Sequence, residues 1–146
     1  MKKLIVVVIV LSMLAGFIPV QAISADSPAD NQSDDTYRRL SLTLLSPYVD
    51  KAIDDFYDEY LTYLPLEDTW DYRVLSIRAP QPGDYFYTVI LEVLPYVGPH
   101  LTVGRDRITL KIDNRGNVVL EKFEHLESHE LPPHYQNMIK KKLPSN

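Results

Sequence analysis

The chain has 146 residues and is acidic, with 20 Asp and Glu against 15 Lys and Arg and a formal net charge of −5. This balance argues against a nucleic-acid partner, because binding to phosphates requires a basic face, and the only dense basic cluster is residues 140–142. The absence of cysteine excludes disulfides, thiolate metal ligands, thiol nucleophiles and a lipoprotein-type lipid anchor. A hydrophobic content of 45% with 24% charged residues is typical of a globular domain.

The first residues have the composition of a secretory signal peptide. Lys2 and Lys3 give a cationic start, Leu4–Ile18 is almost entirely apolar, and Val20-Gln21-Ala22 offers small residues to a signal peptidase. The apolar run is about fifteen residues long, whereas a membrane span needs about twenty. A cleaved leader is therefore favoured over an uncleaved anchor.

We accordingly expect a signal peptide over residues 1–22, with cleavage near Ala22 or, as the nearest alternative, Ala25. Residues 23–35 are polar and predict a flexible lead-in, and residues 36–146 predict a single globular domain. The protein is then expected to be secreted or otherwise extracytoplasmic, without a stable membrane anchor after cleavage.

Helical signals follow the lead-in. Ser46 and Pro47 are typical of a helix start, since serine can cap the first free amides and proline fits the first helical position. Apolar residues then recur at helical spacing, with acidic residues on the other side, at Val49, Ala52, Ile53, Phe56 and Tyr60. The pattern predicts one amphipathic helix to about Tyr63, preceded by a shorter helix over residues 40–45 that is kinked at the proline.

Four strands are predicted next. Residues 72–79 are rich in β-branched and aromatic side chains and end at the turn signal Pro80-Gln81-Pro82-Gly83. Residues 85–94 are apolar on both faces, which indicates a central strand, and Pro95–His100 predicts a wide turn. Residues 107–112 alternate, and a hairpin turn at Asp113–Gly116 leads into Val118–Phe123.

The remaining segment, Pro132–Leu143, predicts a short closing helix whose last turn would carry the three lysines near the negative end of the helix dipole. The expected fold is α+β, with the long amphipathic helix packed on a four-stranded antiparallel meander. Such a layout is of cystatin-like or nuclear-transport-factor-like kind.

Histidines near the end of the chain form the best candidate metal site: His125, His129 and His134, with glutamates between them. The spacing does not match the metalloprotease pattern, because Leu126 stands where a glutamate would follow the first histidine. Surface histidines in a polar connection explain the segment equally well. We expect no cofactor, with zinc as the alternative.

A second candidate site lies around the wide turn. Alternation places Asp106 on the face that Ile108 and Leu110 turn toward the core, where a carboxylate must be paired or hydrogen-bonded. His100 or the backbone amides of residues 98–104 are the expected partners. A structural carboxylate is favoured over a catalytic acid, and His100, Asp106 and Tyr96 form the candidate ligand site.

Motifs for catalysis are absent: the sequence contains no Gly-x-Ser-x-Gly elbow and no glycine-rich phosphate loop. Tyrosine is abundant, with ten residues, and exposed tyrosine is favoured at binding surfaces. The sequence thus favours a non-enzymatic binding module whose partner is an extracytoplasmic protein, a wall polymer or a small ligand. A metal or small-ligand binder is the alternative, and an envelope hydrolase ranks third.

Four segments carry a family resemblance: residues 44–54 (LLSPY through AID), residues 95–106 (PYVGPH through VGRD), residues 121–125 (EKFEH) and residues 131–135 (LPPHY). In them the chain resembles the domain-of-unknown-function family 3888, short exported proteins of spore-forming Gram-positive bacteria. The resemblance implies export and an envelope or extracellular setting. It implies no activity and no catalytic residues.

Overall fold

The computed structural model describes residues 28–144, with side chains from residue 32 onward. The predicted signal peptide, both cleavage sites and the first residues of the lead-in lie outside the described residues. The chain divides into two units, residues 1–32 and 33–146, and the strands all lie in the second. Within residues 28–144, no helix has the length and apolar character needed to cross a membrane.

The first helix, α1, runs from Pro28 to Tyr57 and continues through Pro47. The prediction of two helices separated at the proline is therefore wrong. Pro47 has no N–H for the Thr43 carbonyl, and the Ser46 hydroxyl donates to that carbonyl at 3.0 Å instead. Ser46 thus provides a hydrogen-bond donor to a carbonyl inside the helix rather than capping the start of a helix. Helix α1 also includes residues 28–35 of the predicted lead-in.

The end of α1 lies at Tyr57 and not near Tyr63. The Leu61 N–H donates to the Tyr57 carbonyl at 2.9 Å, which closes the last turn. Leu61 then forms an isolated antiparallel bridge with Ile139. The backbone after the helix is held by a segment distant in sequence, which the local helical pattern could not reveal.

The main sheet is formed by β1 (Arg73–Arg78), β2 (Tyr87–Val93), β5 (Gly104–Ile112) and β6 (Val118–Ser128). These four strands are antiparallel and lie in the order β1-β2-β5-β6, which confirms the α+β class. The predicted wide turn belongs to a two-stranded hairpin, β3 (Tyr96–Val97) and β4 (Leu101–Thr102), whose second strand follows the turn directly. Two short 3₁₀ helices, Thr69–Asp71 and Pro133–Met138, complete the fold.

The core lies between α1 and one face of the sheet. Leu91 pairs with Ile108 at the centre of the β2–β5 ladder, and both are fully buried. Val49 and Ile53 of α1 belong to the same buried cluster. The Phe56 ring stacks on the ring of Phe123 in β6, with the two centroids 4.8 Å apart. These contacts fix the helix across the two central strands and the β6 edge.

The C-terminal segment forms a 3₁₀ helix and not the predicted helix to Leu143. The backbone N–H groups of Lys140 and Lys141 donate to the Tyr60 carbonyl, at 2.8 and 3.2 Å, and so are not available to a local helix. The Lys140 ammonium donates to the Asp58 carbonyl at 2.9 Å. These lysines therefore neutralise the carboxyl end of α1 rather than the end of their own segment.

Candidate functional site

Asp106 is the one buried charged residue of the described core, with 0% of its surface exposed. Alternation predicted this burial correctly, but the partners differ from those expected. The Tyr57 hydroxyl donates to Asp106 Oδ2 at 2.9 Å, and His125 Nδ1 lies 2.6 Å from Asp106 Oδ1. The carboxylate is thus held from α1 and from β6, while His100 lies elsewhere.

A bulge in β6 brings His125 to Asp106. Arg105 pairs with Glu127 and Asp106 pairs with His125, so Leu126 is an extra residue in the ladder. The bulge lets Glu127 face outward, where it meets Arg105 at 3.0 Å, while His125 turns inward with 6% of its side chain exposed. His125 therefore lies in a strand, not in a polar connection.

The chain of hydrogen bonds continues beyond His125. Its Nε2 lies 2.7 Å from Ser128 Oγ, and Ser128 Oγ donates to the Pro144 carbonyl at 2.6 Å. We call the set Tyr57, Asp106, His125, Ser128 and the Pro144 carbonyl the buried relay. It connects α1, β5, β6 and the C-terminal segment.

Gly104 makes room for the relay. A Cβ at this position would lie 2.7 Å from the Glu127 carbonyl oxygen, 2.8 Å from His125 Cε1 and closer still to the Tyr57 hydroxyl. The absence of a side chain is what allows the tyrosine and the imidazole to approach β5.

Burial controls the electrostatics of the relay. Desolvation raises the pKa of Asp106, and hydrogen bonds from His125 and Tyr57 oppose that rise. Burial, followed by the charge of Asp106, raises the pKa of the Tyr57 phenol. The phenol thus remains a hydrogen-bond donor throughout the ordinary pH range.

The other two predicted ligand residues remain together at the β3–β4 hairpin. The rings of Tyr96 and His100 stack with centroids 4.1 Å apart, and His100 Nδ1 lies 3.9 Å from Asp68 Oδ2. His100 has a φ of 60°, which is uncommon outside glycine and lets its ring fold back on the tyrosine. The structure therefore pairs Tyr96 with His100 and places Asp106 in the buried relay.

The three histidines of the candidate metal site lie in different settings. His125 belongs to the buried relay, His129 pairs with Glu127 at 3.4 Å, and His134 is exposed on the 3₁₀ helix. Within the described part of the chain, no group of three or more His, Asp or Glu side chains is placed to hold a metal ion.

An acidic pair lies between α1 and the connection to β1. The Tyr72 hydroxyl donates to Glu67, and Glu67 shares a hydrogen bond with Asp50. Burial, followed by the bond to Asp50, raises the pKa of Glu67 to about 8. Glu67 therefore keeps its proton at neutral pH.

An apolar groove of about 770 Å³ opens between the middle of α1 and one end of the sheet. Ile112 pairs with Tyr87 on one side and Val118 on the other, and all three line the groove. The helix contributes Leu42, Leu44, Leu45 and Tyr48, together with Arg38 and Ser41.

Sequence reasoning missed several of these residues. Val49, Ile53 and Tyr57 are spaced i, i+4 and i+8, so helical periodicity could have placed Tyr57 in the core. Ser128 has no such signal, because its partners come from the β6 bulge and a distant segment. The groove depends on packing between helix and sheet, which no local pattern specifies.

The comparisons with known proteins identify one relationship. A family model described as "Protein of unknown function (DUF3888)" matches residues 37–127. No curated protein matches the chain, and no solved structure does.

Proposed function

This chain belongs to the family described as Protein of unknown function (DUF3888), and we propose that it is a binding module that holds an elongated apolar molecule with an anionic head group. The apolar groove between α1 and the sheet is the observation that carries this proposal. Its volume of about 770 Å³ falls within the range of roughly 300–1,000 Å³ common to small-molecule sites.

The rim of the groove presents apolar side chains to solvent. Leu44 is 65% exposed and Ile77 is 62% exposed, although both line the groove. Covering such surface releases about 25 cal/mol per Å² of apolar area removed from water. The gain favours a ligand with an apolar body that lies along the groove.

Arg38 supplies the polar end of the site. Its guanidinium donates a hydrogen bond to the Tyr72 carbonyl at 3.2 Å. Among residues 32–144, no carboxylate lies within ion-pair distance of this guanidinium. A carboxylate, sulfonate or phosphate on the ligand would complete its coordination by a bidentate pair.

The proposed setting is extracytoplasmic. The leader-like composition of residues 1–22 and the resemblance to exported proteins of Gram-positive bacteria support it. The cystatin-like or nuclear-transport-factor-like layout also belongs to this proposal, and the long helix packed on a four-stranded antiparallel sheet supports it.

Zinc binding is the less favoured function. His129 and His134 remain available for it, but a closed zinc site needs four well-placed ligands. The burial of His125 against Asp106 removes the third histidine from any shared surface site.

Binding of the anionic apolar dye 1-anilinonaphthalene-8-sulfonate to the full chain tests the proposal by fluorescence titration. Leu44→Glu places a carboxylate in the groove and should weaken dye binding about tenfold or more, which corresponds to ~1.4 kcal/mol. Leu40→Glu is the matched control, because Leu40 lies on the same helix at 55% exposure and does not line the groove.

Arg38→Gln should also weaken dye binding, and addition of a long-chain carboxylate should displace the dye competitively. Equal dye affinity in the Leu44→Glu and Leu40→Glu variants would show that the dye binds elsewhere and would overturn the proposal. Circular dichroism of each variant checks that the fold is kept.

A further inference from the structure

The Ser128 hydroxyl has one proton and two close partners. Its Oγ lies 2.6 Å from the Pro144 carbonyl and 2.7 Å from His125 Nε2. A carbonyl oxygen can only accept, so the serine proton points to Pro144. His125 Nε2 must then carry a proton and donate it to the serine oxygen.

The other side of the imidazole also needs a proton. His125 Nδ1 and Asp106 Oδ1 lie 2.6 Å apart, which requires one proton between them. The remaining carboxylate oxygen accepts from the Tyr57 hydroxyl at 2.9 Å. In the observed arrangement the Asp106 and His125 pair therefore holds two protons and is neutral as a whole.

Loss of one proton from this pair reverses the hydrogen bonds. Nδ1–H would remain on Asp106, and the bare Nε2 could only accept. The Ser128 proton would then turn from Pro144 to His125. The resulting arrangement has a serine hydroxyl bonded to an imidazole whose second nitrogen is held by a buried carboxylate, which is the geometry that activates a serine nucleophile.

We propose that Ser128 is a latent nucleophile for acyl transfer from a small ester, with His125 as its general base and Asp106 as the positioning carboxylate, and that the Pro144 carbonyl holds it inactive. This goes beyond the proposed binding function and uses a different part of the molecule. Among the described side chains, Ser128 is the hydroxyl that lies within hydrogen-bond distance of an imidazole whose other nitrogen contacts a buried carboxylate.

A cavity of about 390 Å³ lies beside the serine and provides the space for a substrate. It is lined by Ser128, His129, Glu130, Gln136, Ile139, Lys142 and Leu143. The Phe56 ring stacks on the His125 ring at 4.9 Å and shields the base from water. Lys142 brings a cationic donor to the lining. The charged groups beside it at this end of β6 are Glu130, the Glu127–His129 pair and Arg105, which meets Glu127 at 3.0 Å.

The chemical step is balanced within the site. Ser128 Oγ bonds to the ester carbonyl carbon as its proton passes to His125 Nε2. The carbon–oxygen bond to the alcohol breaks, and the alcohol leaves with that proton. Water then attacks the acyl-serine by the same proton path, which releases the carboxylic acid and restores the hydroxyl.

The absence of cysteine from the chain provides a direct test through Ser128→Cys, which introduces a single thiol. The thiol pKa is read from thiolate absorbance between pH 4 and 8.5. If His125 acts as a base, it should lower the thiol pKa from the ordinary value of about 8.5 to about 6. The thiolate fraction at pH 7 then rises roughly 30-fold. The control is Ser46→Cys, at a half-buried serine whose hydroxyl meets only a helix carbonyl.

Two further measurements complete the test. Asp106→Asn in the Ser128→Cys background should return the thiol pKa toward that of the control. The unaltered protein, treated with an alkyl fluorophosphonate from pH 6 to 9, should be phosphonylated at Ser128 with loss of fluoride, and faster at higher pH.

Mass spectrometry of the intact protein and its peptides locates the phosphonyl group, and Ser128→Ala should abolish it. The proposal fails if the thiol at residue 128 has the same pKa as the thiol at residue 46. It also fails if Ser128 is not phosphonylated at any pH in the range.

Discussion

Gly104→Ala should destabilise the protein through the buried relay rather than through backbone strain. The added methyl group would lie 2.7 Å from the Glu127 carbonyl oxygen, which is fixed in the β5–β6 ladder, and 2.8 Å from His125 Cε1. Contacts this short require the neighbours to move. The Tyr57 hydroxyl, which is closer still, is the group that must withdraw.

The cost has two parts. Overpacking of a tight core position costs about 1–3 kcal/mol. Withdrawal of the tyrosine leaves a buried carboxylate oxygen of Asp106 without its donor, which costs about 1–3 kcal/mol more. Together they predict a loss of about 4 kcal/mol in the free energy of unfolding, a large share of the ~5–15 kcal/mol typical of a domain.

Urea unfolding followed by circular dichroism measures this loss. With a slope of about 2 kcal/mol per molar, the midpoint should fall by about 2 M. Gly116→Ala is the control, because Gly116 has a φ of 84° and no atom within 4 Å of an added Cβ, so that only strain of about 1 kcal/mol is expected.

A double-mutant cycle separates the relay from general crowding. Tyr57→Phe removes the oxygen that the new methyl group meets first, so Gly104→Ala should cost about 1–2 kcal/mol less in that background. Equal midpoints for Gly104→Ala and Gly116→Ala, or strict additivity with Tyr57→Phe, would refute this account of the relay.

Two further predictions concern pH and export. The pKa of Glu67, raised from 4.5 to about 8 by burial and the bond to Asp50, means that the folded state retains a proton that the unfolded chain loses. The associated stability is fully present below pH 4.5 and is lost as the pH rises to about 8. Glu67→Gln should flatten this decline in urea midpoints at pH 5, 7 and 9, whereas parallel pH curves for the two proteins would disprove the assignment. Expressed with its own leader in a Gram-positive host, the protein should be recovered from the medium with its N-terminus at Ile23 or Asp26, as read by mass spectrometry; recovery only with cells, with Met1 retained, would contradict export.

Local patterns in the sequence determined much of the fold. The two apolar faces of residues 85–94 and the alternation in residues 107–112 depend only on the two-residue period of a strand. They placed both central strands and the inward carboxylate of Asp106 correctly. The hairpin at Asp113–Gly116 followed from turn chemistry alone. Such features require no knowledge of what lies across the core.

Tertiary structure decided what each of these elements meets. Asp106 meets His125 because β6 is bulged at Leu126, and it meets Tyr57 because α1 crosses the sheet at that point. Helix α1 continues through Pro47 and ends at Tyr57, earlier than its pattern predicts. Beyond it, the Tyr60 carbonyl accepts hydrogen bonds from backbone N–H groups of the C-terminal segment. A periodic pattern specifies which face of an element is buried, but partners from distant segments are selected by register and packing, which exist only once the chain has folded.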